Sequence, residues 1–449
     1  MPSSAPPRIP GRIWALAAIT GAGAFMAMLD ATVANLALES IRRDLDTTLP
    51  RIQWVVTGYL VALAVSLPAQ GFLVARFGAG RVWRASTLAF AAASVLCAMA
   101  PGPGWLIAAR VLQGLAGGLM VPAGQTVIAQ AADRRQLGRL MGVLGLVVAL
   151  GPAIGPAVGG LLLEVASWRW LFWINVPVAV AALALAPGRV PPGEPDGTRR
   201  LDVGGLLLAG LGLPLLLLGA TEAGASGPGT SGSGLAACAA GAALLGTFAW
   251  RSLRRLQPLI DLRLLRNRVF TRATLVTGLA GANLYAGLLL LPLYLRALGM
   301  QLGVIGGMLL AMGLGSALAL PLAGRLTDRH GAGPVVLAGA GLLVATTLAL
   351  LTSVVHDPRL LAFVLAVRGV GLAWAQMPAM TAAYGATDAA RMGDATTLVN
   401  IVQRTGGALG AVAVVVALVR SEEGGYAPAI VVLLALSALA LWPARGMRP

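Results

Sequence analysis

The sequence predicts an all-α membrane protein with 14 transmembrane helices, arranged as two halves of six helices plus two extra central helices. Three observations support this prediction. Of the 449 residues, 57% are hydrophobic and only 11% are charged, whereas about a quarter of a soluble domain is charged. Fourteen apolar runs are long enough to cross a bilayer. One ten-residue motif occurs twice, at an offset of 253 residues.

The repeated motif is GFLVARFGAG at 71–80 and GRLTDRHGAG at 324–333, with six of ten positions identical. Each copy stands between two apolar runs, which is typical of a short arginine-bearing turn between two membrane helices. A duplicated half explains the repeat, and membrane transporters are often built from such repeats. Six helices with their turns account for only about 180 residues of the offset. The remainder leaves room for two additional helices.

The predicted spans cover residues 13–38, 52–75, 82–100, 104–131, 137–163, 168–187, 203–221, 234–250, 270–295, 300–323, 334–354, 360–384, 395–419 and 427–443. Their even number puts both termini on one side. That side carries 23 arginines and eight acidic residues, and the other side carries seven and eight. Because cytoplasmic loops collect basic residues, we expect both termini in the cytoplasm, with the chain in a bacterial plasma (inner) membrane. The net charge of +16 therefore indicates membrane topology and predicts no nucleic-acid partner.

In span 1, Asp30 is an acidic residue deep within hydrocarbon, roughly 12 Å below the outer face by helical rise. Arg110 in span 4 lies at a similar depth on an antiparallel helix, so the two can interact if spans 1 and 4 adjoin. Intramembrane carboxylates are expensive and mark functional sites by default, which makes Asp30 and Arg110 candidates for proton coupling. The alternative is a buried ion pair that only holds the helices together.

Span 5 contains GPAIGPAVGG at 151–160, in which glycines recur every four residues and prolines follow the first two. Small residues at this spacing let another backbone approach closely, and the prolines add kinks. The alternative interpretation is that these glycines serve only the close packing of helices. The candidate residues are Gly151, Pro152, Gly155, Pro156, Gly159 and Gly160.

Spans 7 and 8 are the surplus pair. The chain therefore divides into a first half at 1–187, a linker with two extra helices at 188–268 and a second half at 269–449. Residues 251–272 carry seven arginines among Leu and Ile. This pattern predicts a helix lying on the anionic inner leaflet, in contact with membrane lipids.

In the second half, Arg368 in span 12 and Arg404 in span 13 are predicted to be buried cations without a local acid. Backbone carbonyls, neighbouring amides or a bound anion could satisfy either of them. The two histidines, His330 and His356, fall in loops and are unattractive as proton carriers within the membrane. No spacing of His, Cys, Ser and acidic residues suggests an enzyme, a metal site or a cofactor.

In these motifs the chain resembles the fourteen-helix drug/proton antiporter branch of the major facilitator superfamily over nearly its whole length. LDATVANLAL at 29–38 resembles the helix 1 motif, RVLQGLAGG at 110–118 that of helix 4, GPAIGPAVGG the antiporter motif of helix 5, and SWRWLFWINVP at 167–177 the entry to helix 6. The resemblance implies two six-helix bundles that rock around a central cavity. It also implies conformational gating by the repeated loops, through Gly71, Arg76, Gly78, Gly324, Asp328, Arg329 and Gly331.

The first loop copy departs from the family pattern. It has Ala75 where the family has Asp, and Ala79 and Gly80 where the family has basic residues. The acid that helps lock the cytoplasmic side is thus expected to be missing from this copy. We expect the second copy to carry the lock through Asp328, and an aspartate restored at position 75 to be tolerated.

The sequence and the resemblance together predict a proton-coupled antiporter that exports small amphipathic organic compounds or drugs by alternating access. A dedicated exporter of one endogenous metabolite, antibiotic or lipid on the same fold is the alternative. The expected partners are a small-molecule substrate, protons and membrane lipids, with no obligate protein partner and no cofactor. Substrate range in intact cells separates the two hypotheses.

Overall fold

The computed structural model describes residues 9–133, 135–225, 232–255, 257–352, 357–419 and 425–447. These residues form helices and connections, without any strand among them. The α-helices are α1 (Gly11–Asp44), α2 (Leu49–Ser66), α3 (Gln70–Phe77), α4 (Ala79–Ala98), α5 (Pro103–Ala131), α6 (Leu137–Val165), α7 (Trp170–Trp173), α8 (Asn175–Leu185), α9 (Val203–Ala225), α10 (Gly232–Arg254), α11 (Arg268–Ala297), α12 (Leu302–His330), α13 (Ala332–Ala349), α14 (Pro358–Gly385), α15 (Met392–Val419), α16 (Ala427–Leu439) and α17 (Leu441–Arg445).

The helices follow the predicted spans in order, although three spans are each divided into two segments. A 3-10 turn at Leu67–Ala69 separates α2 from α3, and the pairs α7–α8 and α16–α17 also stand where one helix is predicted. By length and composition, 11 helical stretches of the described chain can cross a membrane. The all-α membrane fold is therefore confirmed, whereas the count of fourteen spans stays a prediction.

The arginine-rich stretch at 251–272 is not the single surface helix that the sequence predicts. Helix α10 continues through Arg254, a 3-10 turn covers Leu262–Arg266, and α11 begins at Arg268. Two side chains stop a continuous helix, because Asp261 and Asn267 each accept hydrogen bonds from backbone N–H groups two or three residues later. Such caps favour a new helical start over continuation.

The two copies of the repeated motif form the same turn. Gly78 lies between α3 and α4 with a φ angle of 90°, and Gly331 lies between α12 and α13 with a φ angle of 79°. Side chains disfavour this left-handed region, so a glycine is required at both positions. The same backbone in both copies gives the repeat seen in the sequence a structural counterpart.

The two halves have separate cores that the α9–α10 hairpin flanks. Residues such as Trp83, Phe90 and Met120 form one core in the first half, and Leu290 and Leu365 belong to the core of the second half. Helix α9 packs against α10, α2 and α15. The hairpin therefore lies beside the junction of the halves, and the divisions at residues 187 and 268 stay a prediction.

Both ends of the described chain lie at one face of the molecule, which we call the terminus face. A shared core cluster joins Ile13 and Met447 with residues of both halves, among them Leu140 and Tyr384. Hydrogen bonds between the halves concentrate on this side. They join Gln70 to Thr397, Thr126 to Thr396, Gln130 to the Ala389 carbonyl, and Gln125 to Tyr384 and Asn400. The halves are therefore closed at the terminus face.

Candidate transport site and gate

Asp30 of α1 and Arg110 of α5 form a buried ion pair. Arg110 Nη1 lies 2.5 Å from Asp30 Oδ2, and the side chains of Arg110 and Asp30 are 0% and 1% exposed. The structure thus brings together the two charges that the sequence places at similar depth, because α1 and α5 pack against each other. Separation of such a pair leaves a buried charge uncompensated, so the pair also holds the two helices together.

Two neutral side chains donate to the carboxylate of Asp30, and a third, Ser94, bonds to both of them. Gln113 Nε2 and Asn175 Nδ2 donate to Asp30 Oδ1 at 3.1 and 2.9 Å, and Gln113 Nε2 also lies 2.7 Å from Ser94 Oγ. We call Asp30, Ser94, Arg110, Gln113 and Asn175 the first-half polar cluster. Sequence reasoning missed the three neutral members. Gln113 was detectable, because it follows Arg110 by one helical turn in RVLQGLAGG.

Arg110 is also fixed from α2. Its Nε donates to the Val55 carbonyl at 2.9 Å, and its guanidinium carbon lies 4.2 Å from the ring centroid of Tyr59. A cation over an aromatic face is stabilised by the ring quadrupole. Because these contacts do not involve Asp30, Arg110 can keep its position while the protonation state of the carboxyl group changes.

The second half contains an equivalent cluster without an acid. Arg368 of α14 donates from Nη1 to Thr347 Oγ1 at 2.7 Å and from Nη2 to Asn283 Oδ1 at 2.9 Å. Ser437 of α16 donates to the same Asn283 oxygen at 3.0 Å. We call Asn283, Thr347, Arg368 and Ser437 the second-half polar cluster. Arg404 is a correction to the sequence analysis, because its side chain in α15 is only half-buried.

The described part of the antiporter motif packs within the first half. A Cβ at Gly155 would lie 2.9 Å from Thr32 Cγ2, and one at Gly159 would lie 3.0 Å from Val33 Cγ1, both on α1. A Cβ at Gly160 would meet no atom of the described residues within 4 Å. The side-chain surroundings of Gly151, Pro152 and Pro156 lie outside the described residues, although α6 runs through all three. The motif thus brings α6 against the segment of α1 that follows Asp30.

A second set of glycines in α6, missed in the sequence analysis, makes the contact between the halves. A Cβ at Gly142 would lie 2.7 Å from the Leu320 carbonyl and 3.2 Å from Gly324 Cα on α12. Gly138 faces the same helix one turn earlier, against Gly324 and Asp328. The spacing LGRLMGVLG at 137–145 was a usable signal, since small residues every three or four positions mark close helix crossings.

The second loop copy is locked across this crossing by Asp328. Its carboxylate accepts hydrogen bonds from Gly138 N at 2.9 Å, Arg139 N at 3.2 Å and Arg139 Nε at 2.8 Å. These backbone donors are the first N–H groups of α6, where unpaired donors and the helix dipole favour an anion. Arg329 and His330 are exposed at the end of α12. His356 lies outside the described residues.

The second half of the chain supplies an acidic residue to the first loop copy. Asp394, in the first turn of α15, takes the position beside Gly71, whose Cβ would lie 2.7 Å from Asp394 Oδ1. Arg199 Nη2 donates to both oxygens of this carboxylate at 2.7 and 2.8 Å. This pair was not predicted from the sequence, since Asp394 and Arg199 are 195 residues apart. Half-buried Ala75 and Arg76 lie nearby on α3.

Arg199 belongs to a linker arm, residues 190–199, that packs on the first loop copy. The Asp196 N–H donates to the Ala75 carbonyl at 2.7 Å. The Pro191 carbonyl contacts Gly80 so closely that an added Cβ would overlap it. Gly80 is one of the positions at which the chain departs from the family pattern, and the departure leaves room for the arm.

A cavity of about 700 Å³ lies between the linker arm and the helices. Three acidic side chains line this cavity, Glu194, Asp196 and Asp394. Arg199 also lines it. Hydrogen bonds from the Thr198 hydroxyl and N–H hold the pKa of Asp196 below its ordinary value. Acidic side chains therefore lie beside the first loop copy even though position 75 itself is alanine.

Two further kinds of functional group are clusters of metal-ligating side chains and reactive thiols. Among the residues that the structure describes, no group of three or more His, Cys, Asp or Glu side chains could hold a metal ion. The two cysteines, Cys97 and Cys238, are buried and unpaired as thiols. The arrangement can hold a carboxyl group beside a fixed cation and close a gate at the terminus face.

Comparisons with known proteins agree with this geometry. The family model described as "Major Facilitator Superfamily" matches residues 20–411. The "Multidrug resistance protein B homolog" of Mycobacterium tuberculosis is 34% identical over 390 residues, which cover 86% of this chain and 72% of the relative. The "Puromycin resistance protein pur8" of Streptomyces alboniger is 34% identical over 414 residues, 89% and 80% of the two chains. The crystal structure of the human organic anion transporter MFSD10 superposes with a TM-score of 0.67 at 16% identity, over 98% of this chain and 100% of that chain.

Proposed function

The chain belongs to the major facilitator superfamily of transporters, and we propose that it is a proton-coupled exporter of small amphipathic organic compounds. Members of this superfamily are not enzymes. The multi-pass membrane fold and the relatives named for multidrug and puromycin resistance support drug-type substrates. We further propose that both termini are cytoplasmic, in accord with the distribution of arginine, and that the terminus face is the cytoplasmic gate.

The observation that carries the coupling proposal is the buried pair of Asp30 and Arg110. A carboxyl group buried in the membrane beside a fixed cation is typical of the groups that carry protons in transporters, charged in one step and neutral in another. Asn175 and Gln113 hold the carboxyl group in place in either state. In the proposed mechanism, Asp30 binds and releases the proton as its surroundings change between the two conformations.

The proposed cycle alternates between proton and substrate. With the cytoplasmic gate open, substrate enters and Asp30 releases its proton inward. With the gate closed, as in the present structure, substrate leaves to the outside and Asp30 takes up a proton from there. For one neutral substrate against one proton, the membrane potential contributes about 2.3 kcal/mol per 100 mV to export.

The gate rests on two contacts at the terminus face that cross between the halves. One joins Asp328 of the second half to the start of α6, and the other joins Asp394 to Gly71 and Arg199. In the proposed motion both contacts form on cytoplasmic closure and part on opening. The two contacts bias the same two-state element, which is what coupled gating requires.

A panel of radiolabelled or fluorescent drugs tests this function. Accumulation is measured in bacterial cells that express the wild-type protein or Asp30→Asn at equal membrane abundance, before and after collapse of the proton gradient. We expect lower accumulation of several unrelated amphipathic compounds with the wild type, and loss of the difference after collapse. Export of a single compound would favour the dedicated exporter. Export that persists without a proton gradient would refute proton coupling.

A further inference from the structure

The two polar clusters occupy the same places in the duplicated halves. Asp30 and Asn283 are separated by 253 residues, the offset of the repeated loops, and so are Ser94 and Thr347. Each cluster joins an arginine to the first helix of its half, on α1 or α11. The second half therefore keeps the arginine of the cluster and has an amide at the position of the carboxylate.

This exchange leaves Arg368 without a countercharge among the described residues. Its side chain is 0% exposed, and its guanidinium donates to the neutral oxygens of Thr347 and Asn283. The guanidinium stays charged in a protein interior, and a buried charge without a countercharge is strongly unfavourable. In the first-half cluster Asp30 supplies that countercharge directly.

Two buried donors of the second-half cluster are also unused. Arg368 Nε and Asn283 Nδ2 have no hydrogen-bond partner among the residues that the structure describes, although their residues are 0% and 1% exposed. The two side chains touch, since Arg368 Nη2 donates to Asn283 Oδ1. Both unused atoms are donors, so an acceptor that binds between them can satisfy both. A positive charge beside two free N–H groups selects a negatively charged acceptor.

A glycine lies beside the same edge of the guanidinium. Gly287 of α11 faces it, and a Cβ added there would lie 3.7 Å from Arg368 Nη2 and 3.9 Å from Nε. Arg368 also lies about 15 Å along α14 from Pro358 by helical rise, away from the membrane surfaces. The unsatisfied charge is therefore deep in the second half, where salt in bulk solvent screens it far less than it screens a surface charge.

We propose that Arg368 and Asn283 form a binding site for a compact monovalent anion, either chloride or the carboxylate group of an organic molecule. The anion takes the electrostatic place that the Asp30 carboxylate fills in the first half. Arg368 supplies the charge and the Nε donor, and Asn283 supplies the second donor through Nδ2. Because this site concerns binding in the second half, it stands apart from proton coupling at Asp30.

Thermal unfolding of the purified full-length protein in detergent tests the proposal. The unfolding midpoint is measured from 1 to 100 mM chloride, with the divalent anion sulfate added to keep ionic strength constant. For millimolar affinity we expect the wild-type midpoint to rise by about 2–4 °C. A second arm replaces chloride with 1-naphthylacetate and uses the neutral amide 1-naphthylacetamide as its matched control.

The variant Asn283→Asp is the informative control, because it reproduces the ion pair of the first half. We expect this variant to be stable at low chloride and to have lost the anion-dependent rise, as does Arg368→Gln. A rise with chloride identifies an inorganic anion, and a rise only with naphthylacetate identifies an organic carboxylate. If neither anion shifts the wild type more than it shifts Asn283→Asp, the proposal is wrong, even if Arg368→Gln fails to fold.

Discussion

Replacement of Asp328 by asparagine is expected to open the gate at the terminus face. The carboxylate accepts three hydrogen bonds from Gly138 and Arg139 at 2.8–3.2 Å, and its side chain is 2% exposed. An asparagine oxygen keeps one of these bonds and loses the charge that strengthens the others. Hydrogen bonds to charged groups contribute about 1.5–3 kcal/mol each, and the loss is offset in part by water on opening.

A net loss of about 2–4 kcal/mol corresponds to a roughly 30- to 700-fold shift toward the open state. The shift falls on the closed state alone, because the donors belong to the opposite half and part from Asp328 on opening. It is therefore measurable as a population change, in addition to any fall in transport.

Distances between spin labels report this change. Labels are placed at the exposed residues Phe77 and Arg325, one on each half. We expect Asp328→Asn to add a longer distance component that is small in the wild type. Asp133→Asn removes an exposed acid and serves as the control with an unchanged distribution. If Asp328→Asn gives the wild-type distribution, the contact between Asp328 and α6 does not hold the gate.

Three further predictions concern the same gate. Arg199→Gln is expected to shift the same spin-label distances toward the open state, because it removes the cation that binds Asp394 at 2.7 Å; an unchanged distribution would mean that the linker arm is passive. Gly142→Leu is expected to abolish transport with normal membrane insertion, since even a Cβ there would lie 2.7 Å from the Leu320 carbonyl. Gly160→Leu, on the same helix with no neighbour within 4 Å, is the control that should remain active. Ala75→Asp is now expected to weaken closure and lower transport at least severalfold, because the cavity beside position 75 already holds three acidic side chains. If transport is unchanged, the expectation from the sequence, that an aspartate at position 75 is tolerated, is correct instead.

Much of the fold could be predicted because it depends on short-range patterns. Apolar runs of about 20 residues are forced into helices, since hydrocarbon offers the backbone no other hydrogen-bond partner. The repeated glycine turns at Gly78 and Gly331 were likewise visible, because the left-handed backbone restricts the residue type. The prediction of a surface helix at 251–272 was wrong, because composition does not reveal the local caps at Asp261 and Asn267.

The candidate site was predicted less completely, because its contacts join distant parts of the chain. Asp30 and Arg110 were identifiable as charges in apolar helices, and their helical depths suggested a contact. The partners Asn175 and Asp394 were not identifiable, since one is a neutral amide and the other stands at a helix end where an acid is unremarkable. The linker arm falls within the linker predicted at 188–268, but no pattern in it indicated that Arg199 binds Asp394.

Proton coupling through Asp30 is tested most directly by Asp30→Asn in proteoliposomes with an imposed pH gradient and no membrane potential. Asparagine keeps the shape of the side chain and can still bond to Gln113 and Asn175, but it cannot carry a proton at this position. With a neutral substrate identified in the cell panel, the account predicts that the variant still binds substrate and shows no uphill accumulation, whereas the wild type accumulates it. If the variant concentrates substrate under the pH gradient alone, Asp30 is not the coupling residue, and its pair with Arg110 only stabilises the fold.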